Sequence, residues 1–447
     1  MERGNMDWRH AYSAKLVPPA LSHAIDRVRL FHCLKKGVEG RLTIVIGPPG
    51  AGKSTLVSSF VSSGTELPGP TAWLTLDAGD NEHPCLFAHL VAAFRQTAAG
   101  ESNLAFDALA KASREADPMP AMVRVFRSLS TPTVLVLDDY HELRSGPSCA
   151  ALLQLLRHGP ENLRIVLITR HEPDLSLHKM RALEGLTEIR GADLAFTETE
   201  VDAVFSTRSP RLTPAQVAEL REASGGWAMG LRVATNLVSK EGFTDAVWSK
   251  VSERCSDFLL HELLQPMEPM EQDLLLRTSI FNEFNASLVQ AVTRRMDASW
   301  ALRRLHAYHD LLSRVDGVGY RHNPLIQRVL LRELTERYGA AEVVAMNQVA
   351  RAWYAANQVS RDHARGDTRS SKSLTPDPHD AGFFQKLTSS ELEVLRLLPT
   401  DLTLEEIAAR RHVSLNTVKT QVKGIYRKLS VCRRRRAVEA ARKYGLL

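Results

Sequence analysis

The sequence predicts an α/β plus all-α chain: a doubly wound parallel sheet first, a helical and winged-helix middle region next, and a small helix-turn-helix domain last. Three observations carry this expectation. Short β-branched runs alternate with helical stretches from about residue 40 to 195, one run opens into a glycine-rich turn, and residues 387–447 combine helical periodicity with an excess of cations.

The totals set the frame. With 447 residues and 44% hydrophobic composition, the chain has room for roughly two to four domains with real cores. No apolar run approaches the about 18 residues that cross a bilayer, and the first residues do not resemble a signal peptide. A cytoplasmic location and no membrane partner are expected. Five cysteines, Cys33, Cys85, Cys149, Cys255 and Cys432, are far apart and without C-x-x-C spacing, which points to neither a disulfide framework nor a zinc site. The formal net charge is +6, and residues 387–447 hold 13 Lys and Arg against 6 Asp and Glu, so the rest is close to neutral. A basic terminal domain on a near-neutral body implies an acidic polymer, of which DNA is the usual one.

Taken in order, Asp26 to Leu34 reads as a helix leading into a strand, Leu42-Thr43-Ile44-Val45-Ile46. Gly47-Pro48-Pro49-Gly50-Ala51-Gly52-Lys53-Ser54-Thr55 follows, and a helix continues to Val61. The glycines let successive backbone N–H groups turn inward, and the helix N-terminus adds partial positive charge, so the loop is a phosphate cradle. Lys53 is expected to reach the β and γ phosphates of ATP or ADP, and Ser54 to give Mg²⁺ a hydroxyl ligand. Thr71 to Leu76 reads as a second strand, ending in the polar group Asp77, Asp80 and Asn81. Thr133-Val134-Leu135-Val136-Leu137 is a buried strand ending in Asp138 and Asp139. Asp138 would complete the Mg²⁺ shell and Asp139 would orient or deprotonate the attacking water; as an alternative, paired acids at a strand end cap the next helix. Arg164 to Thr169 is a further strand, ending in Arg170. That cation faces the same crevice, either to sense the γ-phosphate or to pair with Asp138 or Asp139.

Thr197-Glu198-Thr199-Glu200 opens a helical region interrupted by Gly225-Gly226-Trp227. Asp257 to Leu264 and Met270 to Leu275 are amphipathic, and Arg314 to Leu330 suits a hairpin followed by a helix. From Ser360 to His379 the composition turns to Ser, Arg, Asp, Gly and Pro, a flexible linker. The expected divisions are 1–195, 196–358, 359–386 and 387–447.

In the last of these, Thr388-Ser389-Ser390-Glu391 and Thr403-Leu404-Glu405-Glu406 are capping boxes that open two short helices. A third helix starts near Ser414 and places Val418, Val422, Ile425 and Leu429 on one stripe. Asn416, Thr420, Lys423 and Arg427 lie opposite, with Thr417 at the start and Lys419 at the flank. Amide, hydroxyl and cationic groups on one exposed helix face suit a DNA major groove. Arg410 to Val413 is the short turn between helices two and three. Arg433 to Arg436 open a final helix whose small apolar face suits pairing of two copies.

These residues resemble a known family. The pattern Leu-Thr-x-x-Glu-x-Glu-Val-Leu, the Ser-x-Asn-Thr-Val-Lys recognition segment and the Ile-Tyr-x-Lys-Leu end are similar to the LuxR-type helix-turn-helix. Residues 15–358 resemble the ATP-binding half of the large ATP-dependent LuxR regulators, within the STAND class. Lys15-Leu16-x-x-Pro, the phosphate loop, Trp73 to Asn81, Asp138-Asp139-Tyr140-His141, Thr169-Arg170 and Gly225-Gly226-Trp227 carry this likeness. The resemblance implies a transcription regulator, at most a slow regulatory ATPase, that is closed with ADP and self-associates with ATP before binding DNA and RNA polymerase. Two readings from other classes remain beside it: a DNA-docked ATPase motor, and a constitutive DNA binder with an idle nucleotide site. The sequence departs from the family at three points. Asn323 aligns with the class's ADP-contacting winged-helix His, with His322 adjacent; Gly226-Trp227-Ala228 stands for Gly-x-Pro; and only the linker lies where members insert helical repeats.

Overall fold

The computed structural model describes residues 13–21, 24–64, 67–97, 119–128, 131–144, 146–173, 175, 181, 185–206, 211–244, 246–307, 310–315, 319–357, 393–395, 397–398, 403–411, 413–415, 417–418, 421–422 and 425. The chain divides into two compact units, residues 1–350 with 363–366, and residues 351–362 with 367–447.

In the first unit, the described residues form a five-stranded parallel sheet in the order β2-β3-β4-β1-β5. The strands are β1 (Leu42–Ile46), β2 (Thr71–Thr75), β3 (Thr133–Asp138), β4 (Leu163–Thr169) and β5 (Leu186–Ile189). Every residue of β1 and β3 is buried, the signature of strands covered on both faces. Helices α1 (Val28–Glu39), α2 (Lys53–Ser62), α3 (His83–Thr97), α4 (Met119–Ser128) and α5 (Pro147–His158) supply the covering layers. One side of the sheet packs Ile44, Leu74, Leu135 and Leu167 against Phe87, Phe94 and Phe126, whose rings include an edge-on pair 4.5 Å apart (Phe94 and Phe126). Helix α1 approaches β1 so closely that a Cβ on Gly37 would meet the Thr43 hydroxyl.

This strand order has a functional result. Strand β4 lies between β1 and β3, with Ile46 opposite Thr169 and Leu137 opposite Leu167. The carboxyl ends of β1, β4 and β3 therefore form one row carrying Gly47, Arg170 and Asp138, the place where parallel sheets hold ligands.

The polar group after β2 faces elsewhere. Asp80 is fully buried and receives bonds from Lys15 Nζ (2.5 Å), His89 Nδ1 (2.7 Å) and the Asp77 backbone N–H (2.9 Å). It ties residues near the start of the described chain to the sheet instead of facing a ligand.

A single turn, Gly191–Leu194, then α6 (Glu198–Ser206), α7 (Pro214–Ser224), α8 (Ala228–Glu241) and α9 (Val247–Leu259) form the helical region. Helix α9 runs on into a π-helical turn, Leu260–Leu264, so the segment expected as one amphipathic helix changes its hydrogen-bond register midway. Helices α10 (Pro269–Thr278), α11 (Ala286–Thr293) and α12 (Ala298–Ala307) precede an antiparallel hairpin of β6 (Leu312–Val315) and β7 (Gly319–His322). Helix α13 (Pro324–Ala356) follows, broken at Gly339, where φ is +81°. Three helices, a hairpin and a helix make the winged-helix arrangement. Among the described residues no helix is long and apolar enough to cross a membrane.

In the second unit, Thr403 and Glu406 form the expected capping box at the start of α14 (Leu404–Arg410): the Thr403 N–H donates to the Glu406 carboxylate (2.7 Å) and the Glu406 N–H to Thr403 Oγ1 (3.3 Å). Ser414 caps the next helix through the Thr417 N–H (3.1 Å). Val418, Val422 and Ile425 are buried, as their stripe requires, together with Val394, Leu395 and Ile407. Arg411 joins the turn to the first helical segment and to the helix that follows, bonding the Glu393 carboxylate and Gln421 Oε1 at 2.9 Å. The linker, the Thr388 to Glu391 capping box, Leu429 and the final helix from Arg433 lie outside the described residues.

Candidate nucleotide site and nucleic-acid interface

The predicted phosphate-loop residues form one turn between β1 and α2. The Gly47 N–H donates to the Thr169 carbonyl at 3.3 Å, which locks the loop to β4. Gly50 and Gly52 take left-handed φ values of +73° and +84°. Space is the second constraint: a Cβ on Gly50 would lie 2.7 Å from the Trp227 ring and 2.9 Å from Met229 Cβ. Helix α2 begins at Lys53, two residues earlier than its apolar pattern suggests, because the Gly52 carbonyl already accepts the Leu56 N–H (2.9 Å).

Lys53 is buried, and its ammonium donates to the carbonyls of Gly47 (2.7 Å) and Pro48 (3.1 Å), spanning the loop mouth. Burial, with Arg170 nearby, pushes its pKa from 10.5 to about 8. Ser54 Oγ donates to Asp138 Oδ1 at 2.8 Å, and the Asp139 N–H donates to the same oxygen at 3.0 Å. Burial and the neighbouring Asp139 still lift the Asp138 carboxyl to about 6. Asp139 adopts a left-handed φ of +52°, uncommon for a non-glycine residue. Its pKa is raised by burial, against the opposing pull of Arg170 and Lys53. The hydroxyl of Ser54 and the carboxylate of Asp138 are hard oxygen donors side by side, which fits Mg²⁺.

Arg170 does not pair with Asp138 or Asp139. Its guanidinium reaches Glu262 of the π-helical turn, with Nη2 at 2.7 Å from Oε2 and Nη1 donating to the Glu262 carbonyl at 3.1 Å. A second contact runs the same way: Asp310, before β6, accepts from the Gly191 N–H, and its charge is felt at Lys53. Asn323 caps α13 through the Leu325 N–H (3.0 Å) and donates to the Ser224 carbonyl (2.9 Å), so it closes onto the turn before Trp227. His322 is buried beside Phe284 and bonded to Thr278 Oγ1 at 3.0 Å. That bond places it in the winged-helix core, not at a phosphate.

Beside the loop lies a cavity of about 450 Å³, lined by Gly50, Gly52, Thr55, Arg27, Phe196, Met229, Arg232 and Asn236 among others. Arg27 stiffens one wall, bonding the Leu194 (2.9 Å) and Ala195 (3.1 Å) carbonyls and Glu200 (2.8 Å) with its guanidinium 4.0 Å over the Phe196 ring. Trp227 closes the other side of the loop, its Nε1 donating to the Pro49 carbonyl at 3.1 Å. The arrangement joins a glycine-rich turn, a pair of oxygen donors and a cavity. Glu262, Asp310, Arg27 and the Pro49 contact of Trp227 carry no local sequence signal, since each acts across a long stretch of chain.

Of the six residues expected to meet DNA, Thr417 is described and exposed at the start of its helix. Asn416, Lys419, Thr420, Lys423 and Arg427 lie outside the described residues.

Three family models match the chain: an AAA ATPase domain over residues 24–168, a MalT winged helix domain over 260–342, and the luxR family of bacterial regulatory proteins over 385–441. An HTH-type transcriptional regulator MalT from Cronobacter sakazakii is 29% identical over 321 residues, covering 69% of this chain and 35% of its own. The chain thus spans about a third of the length of that curated relative. A Walker-type ATPase of Pyrococcus abyssi shares the fold, with a TM-score of 0.53 and 16% identity over 69% of this chain and 96% of its own.

Proposed function

We propose that this chain, which carries the AAA ATPase, MalT-type winged-helix and LuxR-type domains of the ATP-dependent LuxR-family regulators, is a transcription regulator whose nucleotide state governs self-association and sequence-specific DNA binding. The four divisions given above serve as its working parts. One observation carries the switch: Arg170, at the strand end beside the phosphate loop, is held by Glu262 at the start of the winged-helix region. A γ-phosphate in the loop competes with Glu262 for that guanidinium, so triphosphate favours release of the winged helix and diphosphate leaves the contact intact. Gly47 to Thr55 hold the phosphate chain, Lys53 neutralises it, and Ser54 with Asp138 would hold Mg²⁺, which supplies charge neutralisation at the phosphates. Asn416, Thr417, Lys419, Thr420, Lys423 and Arg427 meet DNA, and RNA polymerase is the expected partner at promoters.

The test compares wild type with Glu262→Ala. Bound fragments are selected from genomic DNA at one fixed salt concentration, with ADP or with a slowly hydrolysed ATP analogue. Wild type is expected to enrich a defined site mainly with the analogue. The Glu262→Ala protein is expected to shift its ATP-over-ADP preference by about tenfold and to enrich the same site with ADP. Equal enrichment by wild type in both nucleotides rejects the switch, and no preferred site in either rejects the regulator.

A further inference from the structure

Two sequence motifs lie away from the phosphate loop: Lys15-Leu16-x-x-Pro, and the polar group Asp77, Asp80 and Asn81 after β2. The fold joins them. Lys15, on the short turn Ser13–Leu16, has a side chain 11% exposed and places Nζ 2.5 Å from Asp80 Oδ2 and 3.0 Å from Asp77 Oδ2. His89 Nδ1 lies 2.7 Å from the other Asp80 oxygen. The platform under this clasp is itself fixed. Asn81 donates to the Glu142 carbonyl at 3.0 Å and accepts the Arg144 N–H at 2.7 Å, which fastens the turn after β2 to the segment that follows Asp138.

What Lys15 holds is one wall of the cavity. Between Leu16 and α1 the described residues belong to no helix or strand. The Pro19 carbonyl accepts Ser58 Oγ of α2 at 2.8 Å, and Ala20, Ala24, Ile25 and Arg27 then line the cavity opposite Gly50 and Thr55. Arg27 ties the far end of this segment to Leu194, Ala195 and Glu200, and Lys15 ties the near end. Alanines have no side-chain reach with which to fix themselves, so the wall takes its place from its two ends. Leu16 is buried in the core of the sheet, but apolar burial is non-directional and does not set a position along the chain. The contact with two carboxylates does: a slip of one residue at Lys15 moves the wall by up to about 3.5 Å. In a buried ion pair desolvation offsets most of the attraction, so the product of this contact is geometry more than stability.

We propose that Lys15 is a positioning residue for the nucleoside half of the nucleotide: clasped between Asp77 and Asp80, it fixes the register of residues 19–27 and so preorganises the cavity for base and ribose without touching the phosphates. The inference rests on the nucleotide reading above, with the phosphates in the glycine-rich loop and the nucleoside in the adjoining cavity. A wall released from Lys15 has to be ordered by the ligand, and that ordering lowers the affinity of any ligand that fills the cavity. A ligand that occupies the loop alone does not meet it.

The experiment measures by calorimetry the binding of ADP and of inorganic pyrophosphate, with Mg²⁺ present, to the full chain as wild type, Lys15→Met, Lys15→Arg and Asp77→Asn. Lys15→Met is expected to weaken ADP about tenfold and pyrophosphate less than about twofold, and Lys15→Arg, which keeps the cation, to hold ADP within about threefold of wild type. Asp77→Asn removes one oxygen from the exposed side of the clasp. Its expected loss of about threefold for ADP alone decides the matter where removing the charge beside buried Asp80 keeps Lys15→Met from folding. ADP affinity within about twofold of wild type in Lys15→Met, or in Asp77→Asn where Lys15→Met does not fold, overturns the inference. An equal fall for ADP and pyrophosphate also overturns it, because that is a general loss of structure. A wild type that binds pyrophosphate as tightly as ADP takes the nucleoside out of the cavity and overturns the inference while phosphate binding stands; a wild type that binds neither overturns the nucleotide reading with it.

Discussion

Replacing Lys53 with Met is expected to reduce affinity for ADP and ATP by at least about a hundredfold, roughly 3 kcal/mol, because the charge-assisted contacts to phosphate disappear. The same change should stabilise the ligand-free protein. An ammonium held down to about 8 by burial is in an environment that favours its neutral form, and the unfolded chain keeps it near 10.5. Between those values the unfolded state binds the extra proton, so stability rises with pH from about 8 to 10.5, and below 8 the full penalty is present. Met removes that penalty but leaves the Gly47 and Pro48 carbonyls without their donor, for a net gain of roughly 1–2 kcal/mol at neutral pH. Nucleotide affinity follows the opposite course. It is highest while Lys53 is charged, and above pH 8 it falls by up to about tenfold per unit. Fluorescent-ADP titrations from pH 7 to 10, with thermal melts of both proteins, check the two signs. A Met variant that binds ADP as wild type does removes Lys53 from the site.

Trp227→Ala is expected to cost about 3–5 kcal/mol, the range for truncating a buried large aromatic. The indole is 4% exposed, seated between the phosphate loop and α9, with the Phe258 ring 6.3 Å away. Its loss leaves a void against Gly50 and an unpaired Pro49 carbonyl. Trp227→Phe separates the two effects: it keeps most of the packing and loses the Nε1 bond, for about 1 kcal/mol. Denaturant midpoints measure the stabilities, and ADP titration is expected to show weaker binding in the Ala variant, because the loop then lacks its outer support. Equal midpoints for wild type and Trp227→Ala would mean that the contact carries no energy.

What was legible in the sequence was local. Glycines at the left-handed positions of the phosphate loop, the carboxylates ending β3, Arg170 ending β4, and the Val418, Val422 and Ile425 stripe all declare themselves within a few residues, because backbone strain and helical period act at that range. Strand β5, Leu-Thr-Glu-Ile, carries no such mark: it is a short edge strand, half exposed, without the continuous apolar run of β1 and β3. The partners of Asp80, Lys15 and His89, come from other segments and so carry no local signal. Arg170 shows the same limit at larger scale. Its place on the strand end follows from its position in sequence, but its partner, 92 residues away, follows from the packing of the winged helix. The π-helical register that presents Glu262 has no compositional mark at all.

The indole on the phosphate loop also offers a label-free test of the proposed switch. Trp227 donates its N–H to the Pro49 carbonyl of the loop, and its ring lies 6.3 Å from that of Phe258 on the helix that leads to Glu262. Movement of either partner changes the polarity around a chromophore that emits on its own. Trp300, exposed on the winged helix, adds a steady solvent-like background. Excited at the tryptophan band, the protein is expected to change its emission on nucleotide addition if the proposed release occurs, and the difference between its traces and those of Trp227→Phe isolates that one ring.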